Sequence, residues 1–394
     1  MNEIQNKEKA LNPTVVKLGL VSFFADVASE MLYPITPILL TSILGASMTS
    51  LGTIEGIAES IASLMKTYSG YWSDKLMKRK PFIIIGYLLA AISKPLIGLS
   101  QSWVQVLAAR SADRFGKGLR SAPRDAMISE SVEKKYQGLA FGWHRAMDTL
   151  GATLGPLITI GFLNSNPNEI RNLYYWALIP GTLSIFILLL IKEKRTIKTP
   201  QPFIAKFDFK IRISGSLKQY LFAWGIFSLC NSSDVFLILK AKSSGISLTN
   251  IILMYCGYNF IYSFSSPIFG KWSDNIDRKK ILSLGLIIFA LVYFGFSQAS
   301  QVWQYCLLFV IYGCYMGATD GVSKALAVDL SDSHQKATTL GILGTISGFG
   351  TLFASLFAGL LWDHAGSQWT FLYGAGGALI AVFLLLLTRT NSLR

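Results

Sequence analysis

The sequence predicts an all-α membrane protein with about twelve transmembrane helices in two pseudo-symmetric six-helix bundles. Three observations predict it: a composition too apolar for a soluble domain, a train of stretches each long enough to cross a bilayer, and a block of residues that recurs about two hundred positions later. Of 394 residues, 52% are hydrophobic and 15% charged, against roughly 25% charged in an ordinary soluble domain. The mean hydropathy is +0.44. A soluble core does not need that much apolar surface, whereas a lipid solvent does.

On a ~19-residue window, spans are expected near 14–42, 48–73, 81–100, 103–128, 137–162, 172–191, 219–241, 247–272, 280–298, 302–329, 336–361 and 368–388. The net charge of +14 is placed asymmetrically. Lys7, Lys9 and Lys17 precede the first span. Lys75, Lys78, Arg79 and Lys80 follow the second, Lys134 and Lys135 the fourth, and Arg278, Lys279 and Lys280 the eighth. The segment from Lys192 to Lys218 adds six more cations, and Arg389 and Arg394 end the chain. If spans alternate, all lie on one side, and the opposite connections 43–49, 99–103 and 298–302 are nearly uncharged. The positive-inside rule then puts both termini in the cytoplasm, as in a bacterial inner-membrane protein, and the basic charge reads as topology and not as a nucleic-acid surface. The first span is too long for a signal-peptide core and is expected to be kept. Cys230, Cys256, Cys306 and Cys314 lie in apolar spans without metal-ligand spacing, so no metal and no cofactor is expected.

The internal repeat organises the chain. Gly70-Tyr71-Trp72-Ser73-Asp74 recurs as Gly270-Lys271-Trp272-Ser273-Asp274, each copy at the end of a span and each followed by cations. Asp113 and Lys117 of span four are echoed by Asp320 and Lys324 of span ten, and Gly151 of span five by Gly350 of span eleven. The implied domains are a six-span bundle over 1–191, a basic linker over 192–218 and a second bundle over 219–394, an arrangement suited to a midplane site between the halves.

The run from Gly70 through Asp74, Lys75, Lys78, Arg79 and Lys80 resembles the cytoplasmic loop signature of the major facilitator superfamily, and the Gly270 copy resembles its second-half echo. Gly151, Gly155 and Pro156 partly resemble that family's antiporter motif; the paired glycines after the proline are absent, with Gly161 nearest. Arg114 stands in span four where the family pattern has a glycine. The resemblance implies a monomeric secondary transporter that works by alternating access on a small-molecule substrate, coupled to protons. It also implies gating roles for Gly70, Asp74, Lys78, Arg79, Gly270 and Asp274.

Charges inside the bilayer mark candidate sites, because each costs roughly 2.5–3.5 kcal/mol on insertion scales. In span four Arg110, Asp113, Arg114, Lys117, Arg120, Ser121 and Arg124 fall on one arc of about 120°. Such a stripe must line a cavity or meet charged partners. Asp26 and Glu30, with Tyr33 a turn further on, share a face of span one. A carboxylate desolvated in a bundle can load and release a proton, so Asp26, Glu30, Asp113 and Asp148 are the proton-coupling candidates. A permanent ion pair of Asp26 and Glu30 with Arg114 or Arg145 is the competing reading. Lys117, Arg120 and Arg124 read first as a structural ion network, and His144 as a packed histidine. The substrate candidates are Arg114, Arg110, Arg145, Glu55, Glu59, Tyr33, Asn231, Asp234, Tyr255, Tyr258, Asn259, Asp320 and Lys324.

The surplus of buried cations argues for a solute with carboxylate or phosphate character. Export by proton antiport is favoured by the span-five resemblance. Import by symport of a carboxylate metabolite or siderophore stays open, as do a sensor built on the same fold and a lipid substrate. An enzyme is not expected: no phosphate-binding GxxxxGK[ST] loop, nucleophile and base constellation or metal cluster is found.

Overall fold

The computed structural model describes residues 11–133, 137–166, 169–192, 214–331 and 336–388. Most of the basic linker lies outside the described residues, as do Lys7, Lys9, Lys134, Lys135, His334, Arg389 and Arg394. Every described element is helical. In chain order they are α1 (Pro13–Glu30), α2 (Met48–Leu76), α3 (Lys80–Leu99), α4 (Trp103–Ser131), α5 (Gln137–Ser165), α6 (Ile170–Trp176 and Leu178–Leu189) and α7 (Gly215–Cys230 and Val235–Ser243). These are followed by α8 (Leu248–Asn275), α9 (Arg278–Gln298), α10 (Val302–Asp329), α11 (Lys336–Ala365) and α12 (Ser367–Leu387).

Local chemistry sets the ends and the breaks. Asn12 caps α1 by accepting from the amides of Thr14 and Val15, with Pro13 in the first turn. After Glu30 the ladder breaks around Pro34 and resumes as a short turn, Thr36–Ile38, and a π-helical turn, Leu39–Ile43. α7 breaks at the corresponding depth, between Cys230 and Val235. Among the described residues, eight helices are long and apolar enough to cross a membrane on length and composition alone. α1, α2, α4 and α8 are not among them; α2 and α4 carry the charged stripes. Their polar residues are the price of the site, and the apolar helices around them supply the lipid face.

The two halves pack by the same plan. α1 lies against α5 and α6, α2 against α4, and α3 against α4 and α6; in register, α7 lies against α11 and α12, α8 against α10, and α9 against α10 and α12. Some cations of the topology signal also repeat as helix caps. Lys80 donates to the carbonyls of Leu189 (3.0 Å) and Ile191 (2.6 Å) at the end of α6. Lys279 does the same to Leu386 (2.8 Å) and Thr388 (2.7 Å) at the end of α12.

The halves meet along two seams, α2 on α11 and α5 on α8. The first is tight at the end far from the basic loops, because glycines remove the side chains that would hold the backbones apart. A Cβ on Gly56 would lie 2.8 Å from Leu352 Cα, and one on Gly359 would lie 2.7 Å from Thr49 Cα. Gly52 meets the Ser355 carbonyl in the same way. We expect Gly56→Leu to wedge this seam open. In a cysteine-free background, a reporter cysteine replacing Asn231 should react with an impermeant maleimide at least tenfold faster from the side of residues 43–47. Unchanged reactivity would show that the glycine packing does not set the seal.

Candidate functional site

A cavity of about 820 Å3 lies between the halves and is lined from both of them. Glu59, Ser63, Lys66 and Thr67 of α2 and Lys117 and Ser121 of α4 form one wall. Trp224, Phe227 and Asn231 of α7, Tyr315, Asp320 and Lys324 of α10 and residues 340–351 of α11 form the other. Most lie in the half of their helices nearer the basic loops, with Glu59 and Asn231 just past mid-helix, so the cavity opens toward that end while α2 and α11 close the other. The first wall carries Glu59, Lys66 and Lys117; the second carries the rings of Trp224, Phe227 and Tyr315 and the pair of Asp320 and Lys324.

The cations of the α4 stripe have different surroundings. Arg110 is buried and bonded to Glu55 (Nε to Oε1, 3.2 Å; Nη2 to Oε2, 3.4 Å), and its Nη1 lies 3.7 Å from Asp113. Asp113 in turn faces the Nζ of Lys94 at 3.5 Å, and Lys94 also donates to the Ala90 carbonyl at 2.7 Å. Glu55, Arg110, Asp113 and Lys94 therefore form a charge-balanced chain across α2, α4 and α3. Lys94 was not among the residues singled out from sequence; a lone lysine in the apolar span 81–100 was the signal that could have found it, since such a charge needs a partner. Arg124 bonds Ser22 of α1 (3.1 Å) and its neighbour Asp125 (3.0 Å). Arg120 is buried, with its guanidinium carbon 4.2 Å from the Tyr87 ring and no hydrogen bond on Nε or Nη1.

Three cations on the cavity side of the N-terminal half remain without an acid at salt-bridge distance among the described residues: Lys66, Lys117 and Arg114. Lys66 and Lys117 line the cavity. Arg114 sits one turn deeper than Lys117 on α4, and its buried Nε has no hydrogen-bond partner.

Behind this wall α1 and α5 come close through glycine. A Cβ on Gly151 would stand 3.0 Å from Asp26 Cβ, and one on Gly155 would stand 2.8 Å from the Met31 amide. This approach sets Asp148 beside Asp26, whose other charged neighbours are Glu30, Lys117 and Arg120. Asp148 Oδ2 is 3.5 Å from His144 Nδ1, while its Oδ1 and His144 Nε2 are buried without partners. Asp26 and Asp148 are thus brought together, whereas Asp113 belongs to the ion chain.

The remaining candidates join the halves or build the far wall. Tyr255 donates to Glu30 at 2.8 Å and stacks on Tyr33 at 5.2 Å, so a carboxylate of α1 is held by α8. Arg145 donates to the Tyr262 hydroxyl (3.1 Å), which donates to Asp320 (2.9 Å), itself paired with Lys324 (2.6 Å). Asp234, at the break in α7, accepts from Tyr312 (2.6 Å) and Tyr258 (3.2 Å). Asn231 donates to the Tyr315 hydroxyl at 3.4 Å and leaves its buried amide oxygen unpaired. Asn259 is spent on the Tyr255 carbonyl at 3.1 Å. Of the loop residues, Arg79 bridges Ser73 (2.8 Å) and Glu130 (2.9 Å), and Lys78 is exposed. Gly70 faces Ala122 and Gly270 faces open space. The side chains of Asp74 and Asp274 lie outside the described residues.

Twelve helices in two rhyming bundles, with a polar cavity between them and no constellation of groups for bond-breaking chemistry among the described residues, define a solute carrier. The chain belongs to the Major Facilitator Superfamily, whose family model matches residues 18–240 and 220–394. It is a secondary transporter of that kind and not an enzyme. It is 38% identical over 388 residues to an uncharacterised MFS-type transporter of Methanocaldococcus jannaschii, covering 96% of each chain. It is 29% identical over 155 residues, 38% of each chain, to the multidrug resistance protein MdtG of Salmonella typhi. The fold matches the nucleoside transporter NupG with a TM-score of 0.81 at 12% identity, covering 96% of this chain and 100% of that one.

The buried ion chain makes a stability prediction. Lys94→Met leaves Asp113 without one of its two cations, and breaking a buried pair costs about 3–5 kcal/mol. Detergent-solubilised Lys94→Met should therefore melt well below the parent protein; an unchanged melting temperature would mean that Asp113 does not depend on Lys94.

Proposed function

We propose that this protein is a proton-coupled exporter of an amphipathic organic solute that carries a carboxylate or phosphate-like group, working by alternating access from the cytoplasmic membrane. The observation that carries this reading is the cavity itself. Lys66 and Lys117 project from one wall without acid partners, opposite Trp224, Phe227 and Tyr315 on the other. Cations left without an acid partner await an anionic group, and the three rings opposite suit the apolar part of the same solute. Arg114 stands one turn above Lys117 as the deeper anion contact. The volume of about 820 Å3 suits a drug-sized ligand.

Proton coupling is assigned to Asp26 and Asp148. Two carboxylates set side by side in a bundle favour holding a proton between them. Lys117, a charged neighbour of Asp26 that also lines the cavity, gives the solute's charge a way to change that preference. Glu30 and Asp234, each bonded by tyrosine hydroxyls, serve the closed end, and Gly70, Gly270, Asp74, Asp274, Lys78 and Arg79 the opposite gate. The partial likeness to a multidrug resistance protein favours export of amphipathic solutes. The one-sided basic connections support a topology with both termini in the cytoplasm and the cavity opening inward.

The test is transport in proteoliposomes under an imposed pH gradient, with carboxylates, phosphonates and amphipathic amines as solutes. Losing one charge-assisted contact is worth roughly 1.5–3 kcal/mol, so Lys66→Gln and Lys117→Gln should each raise KM for the anionic solutes at least tenfold. Asp26→Asn should keep solute exchange but lose pH-driven accumulation. Transport of amines alone, unaffected by the lysine variants, would overturn the anionic reading.

A further inference from the structure

At the closed end of the seam between α2 and α11, Asp363 of α11 reaches across to the first turn of α2. Its carboxylate accepts from the Met48 amide (3.0 Å), the Thr49 amide (2.8 Å) and the Thr49 hydroxyl (2.6 Å). The first amides of a helix have no partner within it, and the helix dipole favours an anion at that end. α2 supplies a cap of its own only further on, where the Ser47 hydroxyl accepts from the Ser50 amide at 3.1 Å. Its first two amides are satisfied by the other half of the molecule.

From this arrangement we infer that Asp363 is a latch on the outer end: a cap supplied in trans, made when the halves close there and broken when they part. The inference rests on alternating access. The glycine contacts at Gly52, Gly56 and Gly359 give α2 and α11 shape fit over the same stretch, but fit alone falls away gradually as backbones separate. Three hydrogen bonds to one carboxylate break together, which gives the closed end a threshold. The other seam lacks the second half of this arrangement: α8 has the same cap of its own, the Ser247 hydroxyl accepting from the Asn250 amide at 3.3 Å, and among the described residues no carboxylate of the other half accepts from its first amides. Opening at the outer end therefore breaks a trans cap on the α2 side, and that step sets how often the cavity turns outward.

The experiment is a distance measurement between spin labels on Ser42→Cys and Gln368→Cys in the full-length, cysteine-free protein in lipid nanodiscs. The parent should show mainly the short, closed distance. Asp363→Ala should raise the ratio of long to short distances about fivefold, the size of one lost helix cap. Asp363→Asn, which keeps one acceptor oxygen, should fall between them. Asp329→Ala, which removes an acid at the opposite end of the molecule paired with Arg278, should leave the ratio unchanged. Thr49→Val removes only the hydroxyl contact and should shift the ratio about twofold; it is read in place of Asp363→Ala if that variant aggregates. A parent-like distribution in the Asp363 or Thr49 variants overturns the latch, and so does an equal shift in Asp329→Ala. A parent showing one fixed distance, whatever solute or pH is applied, would instead count against alternating access.

Discussion

A charge inside a bilayer must be paired or wetted, and the structure is arranged around that requirement. α4 carries more charge than a spanning helix can present to lipid, so it is packed against α2, α3 and α1, which bring Glu55, Lys94 and Ser22 to it. The pairing is uneven. Toward α2 and α3 the charges balance one another, and toward the cavity cations are left over. Lys66 and Lys117, the cations left over, line the cavity between the halves.

Two devices built from small residues keep the charges where they are. Gly151 and Gly155 let α5 lie close enough to α1 for Asp148 to face Asp26, and Gly52, Gly56 and Gly359 let α2 and α11 close the far end. Between these contacts, tyrosines on α8 tie the halves together: Tyr255 holds Glu30 and Tyr262 holds Arg145. Phenols suit this position, since they stabilise a carboxylate by hydrogen bonding without adding a countercharge and can release it at modest cost when the halves move.

The fold was legible in the sequence because lipid imposes a coarse rule. Span length, the one-sided cations and the repeated GxWSD block give twelve helices in two rhyming bundles, and the comparisons bear out the family. The candidate site was legible only in part. Helical spacing shows that Arg110, Arg114 and Lys117 share a face, yet whether each meets an acid depends on helices distant in sequence. Arg110 finds Glu55 fifty-five residues away, whereas Arg114 and Lys117 have no carboxylate within 4.0 Å among the described residues. Lys94 went unnoticed because one lysine barely alters the hydropathy of its span. Asp363 looked like the end of a span, since nothing local shows that its partners are the amides of Met48 and Thr49.

The α4 cations divide into members of a buried ion chain and a group without acid partners, and one pair of variants separates the two. Arg110→Met and Lys117→Met are each purified and followed for thermal melting and for the saturation of solute uptake. Arg110→Met should lose several degrees of melting temperature, because Glu55 is left buried without its cation, while Lys117→Met should melt like the parent and fail to saturate at concentrations that saturate the parent. The reverse pattern, with a stable Arg110→Met and a destabilised Lys117→Met that saturates normally, would contradict the account.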